Sequence, residues 1–95
     1  MKIKWESYDP TWLINLAKEQ IPEEKEVIKN LELCVRHVKE SKAYYSFVDS
    51  SNPNEPDSEW QFDENMILHD EKNGEIVLDI LKDKKIGGIE FLKYL

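Results

Sequence analysis

Cys34 and His37 are the first residues whose types and spacing suit chemistry, because they lie three positions apart in a segment with helical periodicity. On one helix face, a thiol and an imidazole at this spacing would be able to share a metal ion or form a thiolate–imidazole pair. Cys34 also belongs to an apolar stripe, where a free cysteine usually acts as a small buried side chain. His37 lies near the expected helix C-terminus, where a cation is favoured anyway. We therefore interpret both residues as structural.

His69 is the second candidate, since Asp70 and Glu71 follow it directly and a general acid–base pair needs a carboxylate within reach of the imidazole. Neighbouring residues of a strand point to opposite faces, so His69 and Asp70 do not meet in a regular strand. A solvated strand end is the simpler interpretation. The chain contains no Gly-rich phosphate loop and no nucleophile elbow, which argues against an enzyme. A small hydrolytic enzyme that uses His69 or His37 is the alternative.

Oxygen ligands for calcium are present between residues 49 and 57, where Asp49, Glu55 and Asp57 accompany Ser51 and Asn52. Their spacing lacks the alternating acids and the turn glycine of an EF-hand loop. With one Cys and two His residues, a tetrahedral zinc site would also depend on carboxylates from distant positions. The sequence therefore predicts no metal and no cofactor, with calcium at this loop as a minor alternative.

The strongest feature is the segregation of charge. Between Lys42 and Lys72 the chain has eight acidic residues and no Lys or Arg, so the net charge of -7 is regional. A concentrated charge raises the local potential and speeds encounter with a cationic partner. Nucleic-acid binding is disfavoured, because phosphate contacts need clustered Lys and Arg. The predicted partner-binding residues are the acids and one aromatic residue set among them: Asp49, Glu55, Asp57, Glu59, Trp60, Asp63, Glu64, Asp70 and Glu71.

Two interpretations of this segment stay open at the level of sequence. An aromatic residue ringed by charges is typical of interface hot spots, which favours Trp60 as an anchor. Trp60 fits a core position equally well, since Phe62 shares its face in a strand. The acids themselves also match an ordinary solvated surface.

Helical signals occupy the N-terminal part of the chain. Asp9 and Pro10 are typical of an N-cap and a first helical residue, and Pro22 ends the first helix near Gln20. Pro22 also begins a second helix. Its apolar stripe of Val27, Ile28, Leu31, Cys34, Val35 and Val38, followed by cations as far as Lys42, predicts a helix over most of residues 22–42.

Strand signals follow from Ala43 onward. Tyr44 to Val48 predicts one strand, residues 50–58 a loop, and a second strand begins at Glu59. Asn73-Gly74 predicts a hairpin with a type I′ turn, which requires positive φ at both residues. The next strand spans residues 75–81 with Ile76, Leu78 and Ile80 on one face, and the last spans 86–92, where Gly87-Gly88 indicates a bulge or a close backbone approach. Residues 1–5 alternate as an edge strand would.

The C-terminal residues also resemble a known family. Ile76-Val77-Leu78-Asp79-Ile80, then Asp83, Ile86 and Gly88-Ile89-Glu90-Phe91-Leu92, resemble the closing hairpin of the YuzE-like family of small bacterial domains, which have no assigned activity. Lys84 stands where that family usually has a turn glycine. The resemblance implies a β-hairpin core and a bacterial origin, and it transfers no functional residue.

These observations predict one domain over residues 1–95, mainly helical over 1–42 and a β-meander over 43–95. The expected class is α+β, with two N-terminal helices packed on one face of a sheet of three to five mainly antiparallel strands. No apolar run approaches the length of a membrane span, and a single cysteine suits a reducing cytoplasm. The predicted function is binding of a basic protein, as an immunity protein or antitoxin for a toxin such as a nuclease. A YuzE-like housekeeping role is the alternative.

Overall fold

Six antiparallel strands and two α-helices make up the protein, as seen in a computed structural model that describes residues 4–95. The α+β class is confirmed, but the sheet has six strands and not three to five. The elements in chain order are β1 Glu6–Ser7, α1 Thr11–Gln20, α2 Lys25–Leu31, β2 Arg36–Lys39, β3 Tyr44–Ser46, β4 Phe62–Asp70, β5 Gly74–Leu81 and β6 Ile86–Phe91. Single 3-10 turns follow β5 at Lys82–Lys84 and β6 at Leu92–Tyr94.

The first helix has the predicted start and end to within one residue. The Asp9 carboxylate accepts hydrogen bonds from the Thr11 backbone N–H at 3.0 Å and from the Thr11 hydroxyl at 2.6 Å. Pro10 occupies the N-cap position, one residue later than predicted, and the helix ends at Gln20. Ile21 leaves α geometry with φ of -132°, as expected of a residue that precedes proline.

The predicted long second helix is wrong in its C-terminal half. Helix α2 ends at Leu31, and residues 36–39 form strand β2, so the segment 1–42 is only partly helical. Val35, assigned to the buried stripe, is 54% exposed. The same residues also fit the period of a strand. Val38 pairs with Ser46, and β1 pairs on the other side of β2, so tertiary pairing decides between two patterns that the sequence permits.

Strand order in the sheet is β1-β2-β3-β6-β5-β4. The last three strands are sequential neighbours, as in a meander, whereas β3 pairs with β6 and not with β4. Residues 43–95 are therefore not a simple meander. The long connection between β3 and β4 crosses from the middle of the sheet to its edge, and it carries most of the predicted partner-binding residues.

The core lies where the alternation of β5 predicted it. Ile76, Leu78 and Ile80 are fully buried, and their cross-strand partners on β4 and β6 include Leu68 and Ile89. The helices supply four further buried side chains to the same cluster: Leu13, Ala17, Val27 and Leu31. Cys34 belongs to this cluster as well, as its apolar interpretation required.

The two tight turns differ from the predicted chemistry. Asp70 pairs with Gly74, so the β4–β5 loop has three residues. Gly74 has a positive φ of 74°, but Asn73 does not have a positive φ. The type I′ prediction for Asn73-Gly74 is therefore wrong. Positive φ at two successive residues occurs instead at Asp83 and Lys84, with φ of 64° and 62°.

Gly87 and Gly88 lie at a close approach, as predicted. A Cβ on Gly87 would be 2.8 Å from the Trp60 ring, and a Cβ on Gly88 would be 2.6 Å from the Tyr45 carbonyl oxygen. The pairing of β5 with β6 shifts register between Asp79 and Ile80, opposite these glycines. Glycine is required here because strand β3 and the Trp60 ring occupy the space of a side chain.

The predicted N-terminal edge strand falls partly outside the described residues, since residues 1–3 are not among them. Lys4 and Trp5 are not in a strand, and the edge strand of this part of the sheet is β1 at Glu6–Ser7. Within residues 4–95, neither helix has the length and apolar character needed to cross a membrane.

Candidate functional site

The connection between β3 and β4 carries four of the predicted acids on its surface: Asp49, Glu55, Asp57 and Glu59 are all exposed. Asp63, also exposed, follows at the start of β4. We call these five residues the acidic loop surface. The carboxylate of Asp49 accepts hydrogen bonds from within the loop. The Ser51 hydroxyl and backbone N–H donate to it at 2.7 and 2.9 Å and lower its pKa.

Hydrogen bonds within the loop fix its shape. The Gln61 amide donates to the carbonyl oxygens of Glu55 and Ser58 at 2.6 and 3.2 Å. Asn54 bonds the start of β4 twice, donating to the Trp60 carbonyl at 2.7 Å and accepting from the Phe62 N–H at 3.0 Å. These contacts position the carboxylates on a folded loop and not on a freely moving tail.

Glu59 joins the two arms of the connection. Its carboxylate accepts a hydrogen bond from the Asp49 backbone N–H at 3.1 Å, ten residues away in sequence. The residues that leave β3 and those that enter β4 are thereby held side by side. This contact brings Asp49 close to Glu59, so part of the charge that is dispersed in sequence is concentrated in space.

Glu64 differs from the acidic loop surface because its charge is already matched. Its carboxylate lies 3.0 Å from the Lys84 ammonium, which raises the pKa of Lys84. Within residues 4–95 the only other ion pair joins His69 and Glu75, with 3.8 Å between Nδ1 and Oε1. The five carboxylates of the acidic loop surface thus have no cationic partner within 4.0 Å among the described residues.

Asp70 and Glu71 lie at the opposite end of β4. Eight residues of extended chain separate Phe62 from Asp70, which corresponds to roughly 25 Å. Asp70 also accepts hydrogen bonds from Asn73, at 2.9 Å from its backbone N–H and 2.7 Å from its side-chain amide. The predicted site residues therefore form two groups, and this pair belongs to the β4–β5 hairpin.

Trp60 lies beneath the loop. Only 9% of its surface is exposed, and its ring packs against the backbone of Gly87 and against Leu81. Its burial leaves little area for direct contact with a partner. The ring instead supports the loop from below, where the Trp60 carbonyl accepts the hydrogen bond from Asn54.

Cys34 and His37 do not share a helix face, because the chain between them turns from α2 into β2. The His37 ring packs between aromatic rings, with centroid distances of 5.0 Å to Tyr8 and 5.2 Å to Tyr45. Its Nδ1 atom is buried without a hydrogen-bond partner among the described residues. Cys34 is 4% exposed, and burial raises its pKa to about 12. A thiol in this state is a poor nucleophile, since the thiolate is the reactive form.

This burial predicts slow alkylation of Cys34. Because the pKa rises from 9.0 to about 12, the thiolate fraction near neutral pH falls about a thousandfold, and access falls further. Iodoacetamide should therefore modify the native protein at least about a thousandfold more slowly than the urea-unfolded chain. Mass spectrometry of timed samples measures both rates. Equal rates would show that Cys34 is accessible in the native state.

Among residues 4–95, the one carboxylate within 4.0 Å of the His69 imidazole is that of Glu75, at 3.8 Å from Nδ1. Asp70 is engaged with Asn73, and Glu75 approaches the imidazole only at an exposed position. The backbone of His69 is held by the Gln20 side chain, which accepts from its N–H at 2.7 Å and donates to its carbonyl oxygen. Over residues 4–95, no three His, Cys, Asp or Glu side chains group closely enough to hold a metal ion.

Two hydrogen-bonded carboxylates, those of Glu40 and Asp79, were not among the predicted site residues. Both lie on the side of the sheet away from the core cluster. Glu40 accepts hydrogen bonds from the Ser46 and Ser50 hydroxyls at 2.6 and 3.4 Å. Asp79 accepts one from the Tyr44 hydroxyl at 2.8 Å. The signal for Asp79 was its position between buried residues of a strand, which places it on the other face. Glu40 gave no such signal because residues 36–40 were assigned to a helix.

The raised pKa of Asp79 predicts that the stability of the protein depends on pH. Partial burial raises its pKa in spite of the Tyr44 hydrogen bond, and Glu90 adds repulsion. Folding therefore favours the protonated form of Asp79. This contribution to the free energy of unfolding is fully present below the ordinary pKa of 3.8, and it is lost as the pH rises through the folded-state pKa. Asp79→Asn should thus be more stable than the wild type at neutral pH. Tyr44 retains an acceptor in that variant.

Urea unfolding followed by tryptophan fluorescence, for both proteins at neutral pH and below the ordinary carboxyl pKa, measures this difference. The advantage of Asp79→Asn should shrink as the pH falls, since the two side chains become alike in charge. An advantage that is absent at neutral pH, or that grows with acidity, would contradict the assignment of Asp79 as a destabilising charge.

Comparisons of the chain with family models, curated proteins and solved structures gave no match.

Proposed function

We propose that this protein is an acidic protein-binding module that neutralises a basic partner, acting as an immunity protein or antitoxin for a bacterial toxin such as a nuclease. The observation that carries the proposal is the acidic loop surface. Five exposed carboxylates lie on a hydrogen-bonded loop, without a cationic partner within 4.0 Å among residues 4–95. The surrounding segment from residue 43 to 71 contains no Lys or Arg.

The chemistry of a nuclease supports this choice of partner. An enzyme that holds phosphate must display Lys and Arg, so its substrate site is a positive surface. A fixed array of carboxylates is complementary to such a surface and raises the rate of encounter. In this proposal the protein works in the cytoplasm by occupying or covering that site, and it uses neither a cofactor nor a catalytic residue of its own.

The arrangement of the elements is compatible with such a role. We infer that both helices lie against one face of the sheet, since their buried side chains belong to the same cluster as Ile76, Leu78 and Ile80. Among the described residues, the five carboxylates of the acidic loop surface make no hydrogen bond and no ion pair with either helix. A partner would dock on the loop end of the molecule without disturbing the core.

The experiment that tests the function is capture of a basic protein from the source organism. The immobilised protein is exposed to lysate at low ionic strength, and bound proteins are eluted in steps up to about 0.5 M NaCl, where exposed charge pairs are screened. We expect a basic protein whose nuclease activity is suppressed in the complex and returns after elution. A captured protein without nuclease activity, or no salt-dependent capture, would contradict the proposal.

A further inference from the structure

A cavity of about 160 Å³ opens beside the acidic loop surface. The residues that line it are one tryptophan, two valines, two acids and three serines: Trp5, Val38, Glu40, Ser46, Val48, Asp49, Ser50 and Ser51. Val38 and Ser46 are cross-strand partners in β2 and β3, so they share a face of the sheet. Tyr45, the residue before Ser46, packs toward the core with Phe91, so the cavity lies on the opposite face of the sheet.

The carboxylate of Glu40 is fixed in this cavity by protein hydroxyls. Ser46 is itself buried, and its hydroxyl donates to Glu40 at 2.6 Å, while the Ser50 hydroxyl lies 3.4 Å from the other carboxylate oxygen. Asp49 lines the same cavity with its own carboxylate held by Ser51. Two oriented carboxylates in one small cavity attract a cation, and the hydroxyls reduce the cost of holding them in place.

The walls of the cavity favour an organic cation with an alkyl stem. Val38 and Val48 provide apolar contact, and indole rings attract cations over their faces. Trp5 already shows this property, since the Arg36 guanidinium lies 4.6 Å from its ring centroid. Arg36 lines the neighbouring depression and not this cavity. Among residues 4–95, no Lys or Arg lies within 4.0 Å of Glu40 or Asp49 to fill the same role.

We propose that this cavity receives one Lys or Arg side chain of the basic partner, with the alkyl stem against Trp5 and the valines and the charged end at Glu40 and Asp49. The proposal rests on the proposed function and adds the contact that fixes the register of the complex. Its size supports a single side chain, because pockets for drug-sized ligands begin at about 300 Å³. A side chain buried between an aromatic ring and charges is the usual form of an interface hot spot.

The site is tested first without any partner. Nα-acetyl-lysine methylamide and Nα-acetyl-arginine methylamide are titrated into the ¹⁵N-labelled protein, with Nα-acetyl-norleucine methylamide as the neutral control of the same stem length. We expect the Trp5 indole N–H resonance to shift on saturable binding of a cationic probe, and Glu40→Gln to weaken that binding at least about tenfold. Glu26→Gln removes an exposed charge from helix α2, outside the cavity and the acidic loop surface, and should leave the binding unchanged.

A neutral probe that binds as well as the cations, or unchanged binding to Glu40→Gln, would overturn the site. Asp49→Asn provides the same test if Glu40→Gln does not fold. The captured partner then distinguishes the source of the cation. Weaker capture by Glu40→Gln supports a partner side chain, whereas probe binding with unchanged capture would overturn that source and assign the cavity to a free small cation. Capture without probe binding would overturn the site and leave the proposed function intact.

Discussion

Gly88→Ala should lower the free energy of unfolding by about 3 kcal/mol, the upper end of the usual cost of inserting a methyl group into a packed region. The new Cβ would lie 2.6 Å from the Tyr45 carbonyl oxygen and 2.7 Å from the Tyr44 hydroxyl. A backbone oxygen of β3 cannot rotate away as a side chain does. Relief therefore requires β3 and β6 to separate, at a point where Ser46 and Gly88 are paired. Urea unfolding followed by circular dichroism measures the loss.

Two other glycines provide matched controls for this effect. Gly87→Ala meets the Trp60 ring and Leu81, which are side chains and give way more easily, so its cost should be smaller. Gly74→Ala would make ordinary van der Waals contact with Lys93, 3.8 Å away, so only its positive φ is unfavourable, which costs about 1 kcal/mol. If Gly88→Ala were no more destabilising than Gly74→Ala, the approach of β3 to β6 would be looser than described.

The C-terminal half of the fold was predictable because its patterns agree with each other. Ile76, Leu78 and Ile80 lie on one face of β5, and the polar turn after Leu81 joins β5 to β6 in an antiparallel hairpin. Local sequence and tertiary pairing thus favour the same structure, which is the condition under which a pattern is informative.

The segment from Val35 to Lys39 was not predictable in the same way. Its residues satisfy a helical stripe, and the β-branched Val35 and Val38 suit a strand as well. The partners that decide the outcome, β1 and β3, lie on either side of β2 in the sheet. β3 follows β2 closely along the chain, but both helices separate β1 from β2. The position of Glu40 beside Ser46 and Asp49 depends on that choice, so the cavity could not be inferred from sequence.

The charged site was predictable in composition but not in arrangement. A run of eight acids without Lys or Arg was evident, yet the length of β4 divides it between the loop and the β4–β5 hairpin. Pairing also differs among the acids, since Glu64 meets Lys84 and the acidic loop surface does not meet a cation among the described residues. Such distinctions depend on which strands are neighbours, and the sequence does not specify that β3 pairs with β6.

Neutralising the acidic loop surface should weaken capture of the basic partner about a hundredfold, because exposed interfacial charges contribute about 0.5–1 kcal/mol each and 1.4 kcal/mol corresponds to a factor of ten. The variant combines Asp49→Asn, Glu55→Gln, Asp57→Asn and Asp63→Asn, and it keeps Glu59, whose carboxylate joins the arms of the loop. Asparagine at Asp57 suits its positive φ of 71°. Affinity is measured by surface plasmon resonance against the captured protein over a range of salt concentrations.

The matched control removes four exposed acids from the helical part of the chain: Glu19, Glu23, Glu26 and Glu32 are each replaced by Gln. The two variants have the same net charge, so a partner that responds only to overall charge would bind both equally weakly. We expect at most about a threefold loss for this control, because charges beyond the Debye length of about 8 Å are largely screened at physiological salt.

Replacing Asp70 and Glu71 by Asn and Gln then distinguishes the two groups of acids. Because this pair lies roughly 25 Å along β4 from the loop, several Debye lengths away, it should change affinity little if the loop end is the docking surface. A large loss here with a small loss at the loop would place the partner on the β4–β5 hairpin. Equal losses of affinity in all three variants would show that the acids act only through the net charge of the protein. In that case none of the three acidic groups would be the docking surface.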